Sequence, residues 1–239
     1  NRIVYYSGNN IYIHSFETLD TNIINAFSDD LQIVRLAFRN DRLVYFASTS
    51  DLVTSLYYYN ANTGVHQQIL PDYNHLNIGT LFIYENKIIY SMAYLEEEEL
   101  YSNIYIYDID TEEITSIAEN YDGIYMPSVS DEGMIAYSVS SGHCYDKIML
   151  YNLNTGDEEE ITPPDVGPVL DFEGKEILYI DCSKTNFDNQ WRHYHIYDIN
   201  TEESIPLFYD VDAVGESDID TLNSLGVRSR INKGAIAND

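Results

Sequence analysis

An aliphatic run ending in tyrosine returns all along the 239-residue chain, and no other feature restricts the possible folds as much. It reads Arg2-Ile3-Val4-Tyr5, Arg42-Leu43-Val44-Tyr45, Lys87-Ile88-Ile89-Tyr90, Met134-Ile135-Ala136-Tyr137 and Glu176-Ile177-Leu178-Tyr179. Successive tyrosines are 40, 45, 47 and 42 residues apart. A period of about 40 to 50 residues is too long for leucine-rich or ankyrin units and matches one four-stranded sheet per repeat.

A second element follows each run: Leu56 to Gly64, Ile104 to Thr111, Ile148 to Gly156 and His195 to Glu202, with a weaker copy at Ile11 to Thr18. Each is a β-rich aromatic strand entering an Asn/Asp-Thr-Gly or Asn/Asp-Thr-Glu turn, where an Asx side chain caps its own backbone. The segments after these turns, such as Glu113 to Ile117 and Glu158 to Ile161, read as short, partly polar outer strands whose charges discourage edge pairing. Ile33 to Phe38, Ile78 to Ile83, Ile124 to Val129 and Val169 to Phe172 then read as inner strands. The expected fold is all-β, a five-bladed β-propeller of four-stranded antiparallel blades in a single domain. The repeat blocks fall at approximately 1-38, 39-84, 85-130, 131-173 and 174-208. The first block lacks its own inner strand, so 209-239 is read as an acidic loop plus a closing strand, Leu225 to Ile231, that pairs with the N-terminal blade. The alternative is a fragment of a ring of six or more blades, in which Gly234 to Ala237 opens another strand.

Pro127-Ser128-Val129-Ser130-Asp131-Glu132-Gly133-Met134-Ile135-Ala136-Tyr137 resembles the repeat of TolB-type propellers. That repeat is also called WD40-like and occurs in the propeller domains of dipeptidyl peptidase IV and related enzymes. Val129 replaces the aromatic of that repeat and Glu132 separates its Asp-Gly pair, while the other blades keep only the aliphatic-tyrosine half. The resemblance implies a propeller and a habit of binding peptides or proteins. It implies no catalytic mechanism, because function resides in sites and not in folds.

Composition narrows the partners. Forty acids against 12 basic residues give a net charge of −28, which repels nucleic acid and anionic membrane surfaces. No apolar run approaches the roughly 18 residues of a membrane span. The expected partner is a protein, peptide or glycan, bound by a monomer in an extracellular or cell-envelope setting. Cys144 and Cys182 are too few for a disulfide scaffold, and are either bridged to each other or left as thiols.

The connections between the second and third strands of each unit are the long and variable ones: Ser48 to Ser55, Tyr94 to Tyr101, Ser140 to Asp146 and Asp181 to Trp191. Such loops are where binding residues concentrate. Trp191, the sole tryptophan, stands with Asp188 in one of them, and His143 and Tyr145 stand in the preceding one. An aromatic anchor beside polar groups is a common way to hold a peptide or sugar, so these four residues form the candidate ligand site. His143, Cys144, Cys182, His193 and His195 are soft metal ligands. They are spread over two blades without compact spacing, and no metal or cofactor is expected. Glu96 to Glu99 read as a solvated charge run, and the Asp108 and Asp198 turns as turn chemistry and not Ca²⁺ loops. No nucleophile elbow, phosphate loop, dinucleotide fingerprint or zincin motif is present. A non-catalytic interaction module is therefore the leading expectation. The alternatives are a regulatory propeller of a larger peptidase or membrane kinase, and a glycan-processing enzyme with carboxylates in a central funnel. Asp171 is the one inner-strand acid that the register aims inward, and Arg35 is an inner-strand cation.

Overall fold

The computed structural model describes residues 2–7, 10–25, 31–51, 53–74, 77–96, 99–121, 125–140, 145–163, 166–180 and 194–207. All regular structure among them is β-strand, and none of them lies in a helix long and apolar enough to cross a membrane. The chain divides into two compact units, Asn1–Asn120 and Tyr121–Asp239.

The first unit holds three antiparallel sheets. Blade 1 is three-stranded: β1 (Arg2–Ser7), β2 (Asn10–Ser15) and β3 (Thr21–Asn25). Blade 2 runs β4 (Leu31–Arg39), β5 (Arg42–Thr49), β6 (Val53–Asn60) and β7 (His66–Asn74). Blade 3 runs β8 (Asn77–Tyr84), β9 (Lys87–Glu96), β10 (Glu99–Asp108) and β11 (Ile114–Tyr121). The second unit holds blade 4, with β12 (Tyr125–Val129), β13 (Met134–Ser140), β14 (Tyr145–Asn152) and β15 (Glu158–Ile161). It also holds blade 5, with β16 (Val169–Glu173), β17 (Glu176–Ile180), β18 (Tyr194–Asp198) and β19 (Glu203–Leu207). Each inner strand pairs with the strand that follows it, so the sheets open at Leu31, Asn77, Tyr125 and Val169. The expected closing strand at Leu225 to Ile231 lies outside the described residues.

The repeated tyrosine explains how the sheets pack. Side chains alternate across a strand, and in β5 Leu43, Tyr45 and Ala47 join Ile11, Ile13 and Ile24 of blade 1 in one core. Val44 and Phe46 of the same strand face the other way, into a core with Leu81, Ile88 and Tyr90 of blade 3. In the second unit Ile177 and Tyr179 of blade 5 pack on Ala136, Ile148 and Leu150 of blade 4. Tyr45, Tyr90, Tyr137 and Tyr179 are 0–1% exposed. Tyr5, with no sheet of this unit before it, is 46% exposed.

A phenol buried this deeply needs a partner for its hydroxyl and a ring to lie against. Directly opposite in register stand Tyr12, Tyr57, Tyr105, Met149 and His195. Three of these pairs are stacked tyrosines with centroids 5.0, 5.3 and 5.2 Å apart. The outermost strand supplies the polar partner: His66 Nε2 lies 2.6 Å from the Tyr45 hydroxyl, Glu158 accepts from Tyr137, and Ser204 Oγ lies 2.8 Å from that of Tyr179. The recurrent tyrosines are thus packing residues within and between blades, as their fixed strand positions imply.

The outer strands β7 and β11 run 9 and 8 residues, longer than the short polar segments expected. Leu70 of β7 is buried in the core shared with blade 3, with Ile69 packed against it, and Ala118 of β11 is buried as well. Apolar burial prolongs these strands.

Candidate functional site

The two ends of each blade are built differently. At one end lie the turns joining first to second and third to fourth strands, and they are tied to each other. Asn60, Asp108, Asn152 and Asp198 each accept, through Oδ1, the amides two and three residues on, at 2.8–3.2 Å. The next amide in each turn, of Ala61, Ile109, Leu153 or Ile199, donates to a carbonyl of the neighbouring turn, that of Asp41, Asn86, Gly133 or Lys175, at 2.7–2.9 Å. Ion pairs reinforce this end: Arg2–Asp41 at 2.5 Å, Lys87–Asp108 at 3.1 Å and Lys175–Glu132 at 3.2 Å. Amide hydrogen bonds, that from Thr111 foremost, and Lys87 beside it hold the Asp108 carboxyl below the usual range against the opposing effect of burial. The basic residue that opens the first two repeat motifs is an interblade clamp, Arg2 on Asp41 and Arg42 on the Glu85 carbonyl.

The opposite end carries the second-to-third-strand connections. Two of them are shorter than the sequence implies. Ser48 to Ser55 reduces to residues 50–52, because Ser48 pairs with Thr54 and Ala47 with Ser55. Tyr94 to Tyr101 is not an open loop but a continued ladder, Tyr94 with Tyr101, Leu95 with Leu100 and Glu96 with Glu99. Glu96 and Glu99, the outer members of the acidic run, thus end the two paired strands.

Of the four residues expected to hold ligand, Tyr145 opens β14 with its Cα opposite Ser140, next to a register irregularity at Val139/Ser140. His143, Asp188 and Trp191 lie outside the described residues, as do Cys144, Cys182 and His193. His195, the remaining member of the soft-ligand set, points Nδ1 at Ser204 Oγ, 3.1 Å away, and lies against the Tyr179 ring. Among the described residues no three His, Cys, Asp or Glu side chains gather as a metal set.

Each of the four described inner strands is irregular. Register shifts interrupt β4 at Ile33/Arg35, β8 at Ile78/Leu81, β12 at Tyr125/Ser128 and β16 at Val169/Asp171. Bulges of this kind re-aim side chains. In β8 the irregularity is held by Ser91, whose Oγ accepts the Thr80 amide at 2.8 Å, and a Cβ on Gly79 would lie 2.0 Å from that oxygen. Ser138, fully buried, donates to the Gly167 carbonyl at 2.9 Å and accepts the Val169 amide at 2.8 Å, fixing the entry to β16. The signal was the Tyr-Ser doublet at Tyr90-Ser91 and Tyr137-Ser138, which the aliphatic-tyrosine pattern conceals. Asp171 accepts the Phe172 amide at 2.9 Å and a longer contact from Ser128 at 3.5 Å. The described inner strands carry two acids, Asp171 and Glu173, both in β16.

No family model matches the chain, and none of the curated proteins does. Solved structures do. TolB from Acinetobacter baumannii aligns over 87% of this chain and 52% of its own, with 17% identity and a TM-score of 0.56. The β-propeller domain of the Trilobed protease from Pyrococcus furiosus, described as having an open velcro topology, aligns over 88% and 68%, with 15% identity and a TM-score of 0.59. Oligogalacturonate lyase from Vibrio parahaemolyticus aligns over 87% and 62%, with 13% identity and a TM-score of 0.63. The chain spans about half the length of the TolB structure. At such identities the likeness concerns architecture alone, and the architecture is that of a TolB-like β-propeller.

Proposed function

We propose that the chain is a non-catalytic propeller module that holds a protein, peptide or glycan at the end carrying the second-to-third-strand connections. The observation that carries this reading is the asymmetry of the blades. One end is locked by repeated turn-to-turn hydrogen bonds that differ little from blade to blade, whereas the opposite connections range from residues 50–52 to residues 181–193. A rigid frame with variable loops at one end is how many folds place recognition. The TolB-like architecture supports the reading through the peptide- and protein-binding habit that the sequence resemblance implies. Trp191 is the proposed anchor, with Tyr145, His143 and Asp188 around it; a monomer in an extracellular or cell-envelope setting belongs to the same proposal.

A second reading has a specific observation behind it: an oligogalacturonate lyase aligns over most of the chain. Under that reading the chain processes a glycan with acidic side chains in a central funnel, and a hydrolytic form of it requires two carboxylates about 5–10 Å apart. The Pyrococcus furiosus protease propeller supports in the same way a regulatory domain within a larger enzyme. Trp191→Ala combined with Tyr145→Ala, screened against glycan and peptide arrays, tests the leading reading. A ligand retained by wild type and lost by the double variant supports it. A ligand bound equally by both puts recognition elsewhere, and turnover of an arrayed glycan makes the chain an enzyme.

A further inference from the structure

Among the described basic residues, one makes no polar contact with the other residues that the structure describes. Of the described basic residues, Arg2, Lys87, Lys147 and Lys175 form ion pairs, Arg42 donates to a carbonyl, and Arg39 lies over the Tyr84 ring with its guanidinium carbon 5.9 Å from the centroid. Arg35 has no hydrogen bond, ion pair or ring contact among the described residues, although the chain carries 40 acids. It is half-buried. It stands in the inner strand β4 immediately after the bulge, opposite Phe46, with exposed Gln32 and Val34 just before it. None of β4, β5, β6 and the adjoining inner strand β8 contains an Asp or Glu.

This is an unusual expense for a fold. The residue is partly buried, and among the described residues no Asp or Glu is paired with its guanidinium. Arginine is also the side chain best shaped to grip a carboxylate or phosphate with two parallel hydrogen bonds. The bulge adds to this by turning the backbone at that point. The inner-strand acid Asp171, by contrast, is occupied by hydrogen bonds.

We infer that Arg35 is a recognition residue for an oxyanion, a carboxylate or phosphate carried by a ligand that reaches the inner strand of blade 2. This goes beyond the loop-end reading and does not depend on Trp191. With a net charge of −28 repelling anions at long range, the contact is short-ranged and selective for ligands that bring the group to this strand.

Citrate and pyrophosphate, titrated into the whole chain by calorimetry and thermal shift, are the probes; citrate reports a carboxylate ligand and pyrophosphate a phosphate one. At least one is expected to bind saturably, with Arg35→Gln weakening it by about tenfold or more and Arg35→Lys by less. Arg39→Gln is expected to bind as wild type does. Without anion, Arg35→Gln is expected to melt about where wild type does, since no hydrogen bond or ion pair among the described residues is removed. Absence of saturable binding by both anions overturns the inference, as does binding that survives Arg35→Gln. A markedly lower melting point of unliganded Arg35→Gln also overturns it, by giving the guanidinium a structural role. Should Arg35→Gln fail to fold, Arg35→Lys decides, and unchanged affinity in that variant refutes the bidentate contact.

Discussion

Four turns between third and fourth strands offer an internal comparison of glycine with glutamate. In the turns opened by Asn60, Asp108, Asn152 and Asp198, the fifth residue is Gly64 (φ +74°), Glu112 (φ +60°), Gly156 (φ +78°) or Glu202 (φ +57°). In each its amide donates to the carbonyl of the first residue at 2.8–2.9 Å. The left-handed conformation costs an L-residue about 1–2 kcal/mol, partly offset because glycine loses roughly 0.5–1 kcal/mol more chain entropy on folding. Glu112→Gly and Glu202→Gly should therefore each stabilise the fold by about 0.5–1 kcal/mol, and together by about 1–2 kcal/mol because the sites are independent. For a chain of this size that is a rise in Tm of several degrees. The reverse change is equally clean: a Cβ at Gly64 meets nothing within 4 Å and one at Gly156 only the Tyr151 hydroxyl at 3.7 Å. Gly64→Ala thus loses backbone freedom without a clash. Removing an acid from a chain of net charge −28 also relieves repulsion, so Glu112→Ala serves as the control that removes charge and keeps the backbone cost. Urea unfolding at neutral pH reads all of these. Equal midpoints for Glu112→Gly and Glu112→Ala, or a neutral Gly64→Ala, would refute the conformational argument.

Three further outcomes follow from single contacts. Burial holds the His66 imidazole below its ordinary pKa of 6.5, favouring the neutral ring whose Nε2 accepts the Tyr45 hydroxyl. The unfolded chain then binds the extra proton more readily, so this stability is fully present above pH 6.5 and is lost as pH falls below it. The wild-type minus His66→Gln difference in Tm should be flat above neutrality and decline toward pH 5; a difference that stays flat or grows contradicts this. Ser138→Ala leaves the Gly167 carbonyl and Val169 amide without their side-chain partner, and should cost about 2–3 kcal/mol in denaturant unfolding; a loss below the error of the fit would mean that solvent replaces the hydroxyl. Gly79→Ala drives a methyl into Ser91 Oγ and should cost about 1–3 kcal/mol, most of it recovered in the Gly79→Ala/Ser91→Ala pair only if the clash outweighs the bond to the Thr80 amide.

The sequence was most informative where structure is local. Alternating aliphatics with a tyrosine specify a strand with two buried faces, and Asn-Ala-Asn-Thr-Gly specifies a turn, because both rest on residues adjacent in the chain. It was less informative where register or distant partners decide. Glu96 to Glu99 look like a loop, yet the backbone ladder continues through Tyr94/Tyr101 and Leu95/Leu100 to Glu96/Glu99. The bulges of β4, β8, β12 and β16 depend on partners such as Ser91 and Ser138, which repeat in only two blades. His66 reads as an ordinary outer-strand residue, because a bond to a tyrosine 21 positions earlier leaves no local trace. Of the candidate site, Tyr145 is placed on a ladder end, while His143, Asp188 and Trp191 rest on sequence reasoning.

Within each unit the repeated tyrosine is the piece through which a sheet seats on the one before it. Tyr90→Ala and Tyr5→Ala, compared by urea unfolding, test this directly, because the two residues occupy the same place in the repeat and differ in exposure, 1% against 46%. Tyr90→Ala should cost about 3–5 kcal/mol or prevent folding, and Tyr5→Ala less than about 1 kcal/mol. Similar losses at the two positions, or a Tyr90→Ala chain as stable as wild type, would contradict it.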